Sequence, residues 1–195
     1  MARRSDHTRE ELEKLAIAAG WQRIDRDGLK AFSARQVASD IGYTIGTIYH
    51  LFGTHDALLL RINAHTLDDW FTTMQSALAK AKPKRALHQL ATLYIDYSHS
   101  HQNRWLALFE HHLPADTPLP DWYQQKLARF FTLLEQAMMD ATGCSAKRAK
   151  RDAQLLWASI HGIAILSLTG KLALVGKETP HSLAQRLIDQ YTNND

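Results

Sequence analysis

The chain holds 195 residues, 45% of them hydrophobic, with a formal net charge of +3 at pH 7. That supports a packed core in one large domain or in a small and a larger one, and it excludes a chain too polar to fold. A single cysteine, Cys144, excludes an intrachain disulfide and suits a reducing, cytoplasmic setting, and the polar start MARRSDHTREE offers no apolar leader.

The most apolar window, 157–176, is interrupted by Ser159, His161, Ser167, Thr169 and Lys171, so it reads as a buried helix and not as a membrane span. Nine Lys/Arg against eight Asp/Glu in the first 65 residues leave that region nearly neutral, so bulk charge alone does not mark a nucleic-acid partner.

Helical periodicity recurs along the chain. Leu12, Leu15, Ala16 and Ala19 fall at i, i+3, i+4 and i+7, with Glu10, Glu11 and Glu13 at the start of that helix and Asp27-Gly28 as its stop. Ser33 followed by Gln36 predicts a capping box opening a short helix that ends at Gly42. Thr44 is placed to cap a second short helix over 44–51, and Thr54 to cap a long fourth helix over 54–80, with Pro83 beyond it.

Leu87, Leu90, Ala91, Tyr94 and Ile95 form the stripe of a fifth helix, broken by SHSHQN at 98–103, and RWLALFEHH forms a sixth. After a proline-rich loop at 113–121, Leu127, Phe130, Phe131, Leu134 and Met138 mark the seventh. Ser145 caps an eighth running to about Leu174, and Thr179-Pro180 opens the last. No alternation at period two and no repeat is found, so the fold class is all-α with about nine helices.

Residues 33–52 then describe two short helices joined at Gly42-Tyr43, a helix-turn-helix. In this motif the second helix enters the major groove and meets base edges with its N-terminal residues. The composition fits that task. Gly42 can take a positive φ, Thr44 sits where free N–H groups and the helix dipole favour phosphate, and Gly46 lets backbone approach a duplex. Thr47 can hydrogen-bond a base or phosphate, and Tyr49 and His50 are long enough to reach phosphates. Val37, Ala38, Ile41, Ile48, Leu51 and Phe52 supply the packing face. The same pattern in isolation also describes a helical hairpin that binds nothing.

Residues 8–66 resemble the N-terminal domain of the tetracycline-repressor-like (TetR) family of bacterial transcription regulators. The resemblance rests on LxxLAxxAG at 12–20 and on FSARQVASDIGYTIGTIYHLFGTHDALL at 32–59. It implies a helix-turn-helix domain over 1–53 and an effector-binding and dimerisation domain over 54–195, linked by the helix over 54–80. It implies operator contacts from Ser33, Arg35, Thr44, Ile45, Gly46, Thr47, Tyr49 and His50, with Tyr49 on a phosphate. One departure stands out: where the family often has a Lys at the start of the fourth helix, this chain has His55, which weakens that contact and makes it sensitive to pH near neutrality. Arg3 and Arg4 are candidates for a compensating minor-groove arm.

The remainder of the chain is expected to form a homodimer through Ile160, Ile163, Leu166, Leu183, Leu187 and Ile188. It is expected to bind a small molecule among Trp70, Met74, Tyr94, Trp105, Phe109, Phe131, Trp157 and His161, an apolar set with a few polar groups. Trp157 and His161, at i and i+4, share a helix face, and Gly162 admits a close neighbour. The trio also resembles the Trp-x-x-x-His-Gly motif of one TetR subgroup.

His99, His101, Glu110, His111 and His112 raise a metal reading, but adjacent histidines diverge on a helix and no HExxH or CxxC spacing occurs. No metal site and no cofactor is expected. Nor is any phosphate loop, nucleophile elbow or paired-carboxylate motif present, so the chain reads as a regulator and not an enzyme. The expected partners are double-stranded operator DNA, a second copy of the chain and an effector, with no membrane. An activator or a ligand-independent DNA-binding protein of the same fold stays open beside the repressor.

Overall fold

Helix α1 (Arg9–Asp27) begins with a true capping box: the Thr8 hydroxyl accepts from the Glu11 N–H at 3.2 Å, and Glu11 Oε2 accepts from the Thr8 N–H at 2.7 Å. Its inward stripe is Leu12, Ala16, Gly20 and Ile24. Gly20 lets α4 (His55–Leu78) come close, since a Cβ there would press on the terminal methyl of Ile62, which would have to shift. The computed structural model describes residues 7–192, so the expected arm at Arg3 and Arg4 lies outside the described residues.

Helices α2 (Ala34–Asp40) and α3 (Ile45–Phe52) follow, joined through Gly42 at φ 76°. Val37, Ala38, Ile48 and Leu51 are buried between them and their neighbours. The capping box expected at Ser33 and Gln36 is not made. Ser33 occupies the N-cap without a side-chain bond, and Gln36 Oε1 instead accepts from Arg23 Nη1 at 3.1 Å. Arg23 also holds Asp40, so a charged donor on α1 outcompetes a backbone N–H for the Gln36 amide. Thr44 likewise sits at the N-cap of α3 without capping it; its hydroxyl lies 3.4 Å from that of Thr47. Thr54 does cap α4, accepting from the Ala57 N–H at 3.0 Å. That helix closes at Leu78, two residues before the expected end.

Beyond a short 3-10 turn at Pro83–Arg85 come α5 (Ala86–Ser100), α6 (Gln102–Glu110), α7 (Asp121–Thr142), α8 (Ala146–Leu168) and α9 (Pro180–Thr192). The described residues therefore carry nine α-helices and no strand. The break expected over 98–103 shrinks to His101, because Ser98 is fully buried and its hydroxyl bonds the Ile95 carbonyl within α5. α8 stops at Leu168 instead of running on to Leu174. Gly170, at φ 70°, turns the chain, and Leu172–Leu174 form a separate 3-10 turn.

The chain divides into two compact units. The first takes the residues up to Leu67 together with Asn103–Tyr123; the second takes Asp68–Gln102 and the residues from Gln124 onward. Within the first, α1, α2, α3 and the start of α4 surround a core of Ala16, Ile24, Val37, Ala38, Ile48, Leu58 and Ile62, which Ala107 of α6 completes. α6 also ties down the end of α1. Asn103 Nδ2 donates to the Asp25 carbonyl at 2.8 Å, meeting an acceptor that a helix end leaves free, and Arg104 pairs with Asp25 while lying 3.9 Å over the Trp21 ring.

Within the second unit, α5, α8 and α9 pack on one another. Two antiparallel His–Asp pairs, His88 with Asp189 and His181 with Asp96, join α5 to α9, and Gln185 Nε2 donates to Thr92 Oγ1 between them.

Candidate nucleic-acid interface and aromatic cluster

At 100° per residue, α3 divides cleanly. Ile48 and Leu51 are buried, while Thr44, Gly46, Tyr49 and His50 are exposed, Tyr49 at 46%. Ile45 and Thr47 lie at the margin. Gly46 is unlike the glycines that the fold explains. Its φ is not positive, and a Cβ there would meet only Thr44 Oγ1, at 3.6 Å. Among the described residues, neither packing nor turn geometry asks for a glycine at that place.

Ser33 and Arg35 lie at the start of α2 in the same unit, and Arg35 is exposed with no ion pair among the described residues. His55 opens α4 with its ring edge-on to Phe32 at 5.5 Å. Arg9, which the sequence reading did not single out, donates from Nη2 to the Leu51 carbonyl at 3.2 Å and so ties α1 to the end of α3.

The residues expected around an effector are divided between the two units. Trp105 and Phe109 belong to the first unit, where they pack on each other at 4.9 Å and Trp105 is fully buried. Trp70, Met74, Tyr94, Phe131, Trp157 and His161 belong to the second. There Trp70 contacts Tyr94 at 5.0 Å, Tyr97 at 4.9 Å and Phe130 at 5.2 Å. Tyr94 reaches His161, its hydroxyl 2.8 Å from Nδ1; His161 stacks on Trp157 at 5.5 Å, and Trp157 meets Phe131 at 5.6 Å. Burial holds the His161 imidazole below its ordinary value, which favours the neutral ring. Tyr97, Phe71 and Phe130 complete this run of rings; their spacing shows an apolar stripe but not which rings touch.

The residues expected at a dimer face differ in exposure. Ile160 and Ile188 are 5% and 0% exposed, because they belong to the inward stripes Ala149–Ala153–Leu156–Ile160–Ala164 of α8 and Ala184–Ile188 of α9. Ile163, Leu183 and Leu187 are half-buried, and Leu166 is exposed. On α8, Leu155 and Leu166, at 58% and 40% exposure, stand eleven residues apart and so share an outward face with Ala158 and Gly162. No part of the described chain approaches Gly162: a Cβ there meets nothing within 4 Å.

The histidines that raised a metal reading go separate ways. His99 Nε2 lies 3.1 Å from the Ser167 hydroxyl, His101 packs on Tyr97, His111 pairs with Asp56 at 3.1 Å, and His112 Nδ1 is 2.7 Å from the Glu110 carbonyl. Among the described residues no group of three or more His, Cys, Asp or Glu side chains could hold a metal, and no helix is long and apolar enough to cross a membrane.

The family model of the tetracyclin repressor-like C-terminal domain matches residues 87–191, more than half of the chain, and that of bacterial regulatory proteins of the tetR family matches residues 16–62. An HTH-type transcriptional regulator of Mycobacterium tuberculosis, itself uncharacterized, is 22% identical over 147 residues, which is 75% of this chain and 66% of that relative, a little under two thirds of its length. Among solved structures, a protein of unknown function from Rhodococcus sp. RHA1 superposes with a TM-score of 0.77 at 18% identity, covering 98% of this chain and 97% of its own. A transcriptional regulator from Saccharomonospora viridis in complex with choline gives 0.68 at 20% identity, covering 95% and 97%. At such identities the structures establish the all-α fold.

Proposed function

Because the chain belongs to the tetracycline-repressor (TetR) family of bacterial regulatory proteins, we propose that it is a homodimeric, cytoplasmic repressor that leaves its operator when a small molecule binds. The observation that carries the reading is the exposed flank of α3: Thr44, Gly46, Tyr49 and His50 face outward, and among the described residues neither packing nor a turn explains Gly46. Backbone that must lie against a duplex accounts for it. Thr47 reads a base edge, Tyr49 and His50 reach phosphates, and Ser33, Arg35, Ile45 and His55 border the contact. The Thr47 N–H is bonded to the Thr44 carbonyl, but the Thr44 side chain caps nothing, which leaves the Ile45 and Gly46 N–H groups for a phosphate.

The dimer rests on Leu155, Ala158, Gly162 and Leu166, the outward face of α8, with the flanking Ile163, Leu183 and Leu187. A second copy supplies the close neighbour that Gly162 lacks among the described residues. A two-fold axis then sets two α3 helices against half-sites about 34–36 Å apart. The effector reading rests on the ring cluster of the second unit, with Trp157, His161 and Gly162 as its subgroup mark. The choline held by the Saccharomonospora viridis structure supports a ligand in this fold without naming the one used here. α4, a single helix with residues in both units, is the path by which the ligand acts on the head. Driving the DNA-competent state from 99:1 to 1:99 requires about 10⁴-fold ligand preference, about 5.5 kcal/mol.

The experiment is selection of bound fragments from genomic DNA by the purified protein, followed by titration of the recovered site at several salt concentrations. A palindromic site with steep salt dependence is expected. Thr47→Ala should relax base preference by about 1–3 kcal/mol, and Tyr49→Phe should weaken all sequences alike. Parent-like binding by both variants would refute the assignment of α3.

A further inference from the structure

Three side chains of the second unit form a charge arrangement that its helical core does not need. Asp68 of α4 accepts from Lys126 Nζ through both oxygens, at 2.7 and 2.6 Å, and from Arg129 Nη2 at 2.7 Å. One carboxylate thus faces two cations. Burial would raise the Asp68 carboxyl, but the hydrogen bonds and charges of Lys126 and Arg129 outweigh it and hold the group below its ordinary value. The side chains stay open to solvent, Lys126 at 27%, Arg129 at 38% and Asp68 at 44%.

Exposed ion pairs of this sort usually stabilise little and mean nothing more. Two further observations separate this cluster from that case. Arg129 Nε is buried and has no acceptor among the described residues, although Nη2 beside it is bonded, so one prong of the guanidinium fork is unused. The same guanidinium lies 4.4 Å over Phe71, which is edge-on to Phe130, which packs on Trp70. Trp70 is 4% exposed, and its indole N–H is also buried without an acceptor. Buried donors left unmet are rare in native folds and ask for a reason. Surplus positive charge and the unmet Arg129 donor adjoin a row of aromatic rings, Phe71 and Phe130, that leads to the buried Trp70.

Building on the effector reading above, we propose that the ligand is a small amphiphile with an anionic head, carboxylate or phosphate, whose head takes Lys126 and Arg129 from Asp68 while its apolar body lies along Phe71, Phe130 and Trp70. The Nε and Nη2 edge of Arg129 matches two anionic oxygens side by side, which a lysine cannot do. Asp68 is on α4 and both cations are on α7, so the exchange unties α4 from α7 at the moment of binding.

The test uses the full chain and calorimetric titration, backed by tryptophan fluorescence, with four probes of equal tail: dodecanoate, dodecyl phosphate, dodecanamide and dodecyltrimethylammonium. Each anion is expected to bind at least tenfold more tightly than the amide, and the ammonium more weakly still. Their order separates the two sources of charge, carboxylate ahead meaning a fatty-acid-like ligand and phosphate ahead a phosphorylated one. The Lys126→Met/Arg129→Met pair should bring the anions down to the level of the amide. Asp68→Asn, which removes the internal competitor, should tighten the anions several-fold. Arg129→Lys, which keeps the charge and loses the fork, should weaken dodecanoate more than dodecyl phosphate.

Equal affinity for amide and anion, preference for the ammonium, or weaker anion binding by Asp68→Asn would overturn the proposal. So would the absence of anion binding at millimolar probe by a preparation that still selects DNA. Failure to select any DNA would instead strike the regulator reading.

Discussion

Replacing Gly46 by alanine should move stability and DNA binding in opposite directions. Glycine inside a helix costs about 0.5–1 kcal/mol relative to alanine, and α3 has only eight residues over which to absorb it. The added methyl would meet Thr44 Oγ1 at 3.6 Å, an ordinary contact, and the backbone there is not left-handed, so nothing among the described residues resists it. Gly46→Ala should therefore stabilise the protein by up to about 1 kcal/mol. On a duplex the methyl stands where backbone must approach. Losing one or two hydrogen bonds to charged phosphate oxygens, about 1.5–3 kcal/mol each, lowers affinity by roughly tenfold or more. Denaturant titration gives the first quantity, and fluorescence anisotropy on the selected site at fixed salt gives the second. A variant that gains stability and binds DNA like the parent would refute the idea that α3 lays its backbone on DNA. One that loses stability would show that Gly46 is needed for packing after all.

Leu155→Lys with Leu166→Lys places charge on the outward face of α8, so light scattering should report a monomer with a parent-like helical spectrum; a persistent dimer would move the interface elsewhere. His161, lowered by burial from its ordinary value of 6.5, binds fewer protons folded than unfolded in the window between the two values. Stability therefore rises with pH through that window and falls as pH drops below about 6.5, and His161→Gln should flatten the shift in urea midpoint between about pH 7.5 and 5.5. Trp105→Ala empties a site that is fully buried in the first unit, and should cost about 3–5 kcal/mol by denaturant titration.

Periodicity placed nine helices because each buries a stripe at a fixed local spacing, and that much is local information. What local spacing cannot carry is which of two apolar faces turns inward. Ile160 and Ile188 look like surface leftovers along the chain, yet they close the α5–α8–α9 core, and the exposed leucines of α8 are Leu155 and Leu166. Caps failed for a related reason. Ser33 and Gln36 have the right spacing, but Arg23, thirteen residues upstream of Gln36, claims the amide. The same holds for Trp105 and Phe109, which share an aromatic character with the second-unit rings but fold into the first unit. Asp68, Lys126 and Arg129 were invisible for want of any local pattern, since the carboxylate and its cations lie 58 and 61 residues apart.

Exchange at that cluster also fixes where the energy of a switch must come from. Lys126 and Arg129 hold an anion before and after, first Asp68 and then the ligand head, so their hydrogen bonds nearly cancel in the difference between states. Asp68 is 44% exposed, which screens the original pair and keeps the net electrostatic gain small. The head therefore sets selectivity, and the driving force falls to the apolar body. At about 0.8 kcal/mol per buried CH₂, the roughly 5.5 kcal/mol needed for a full shift corresponds to about seven methylenes. Homologous carboxylates of increasing length should thus gain about fourfold in affinity per methylene while the tail is being buried, and release the operator in the same order. A flat length series, with short and long carboxylates equally effective at dissociating the DNA, would mean that the head alone works the switch and that the rings around Trp70 are only core.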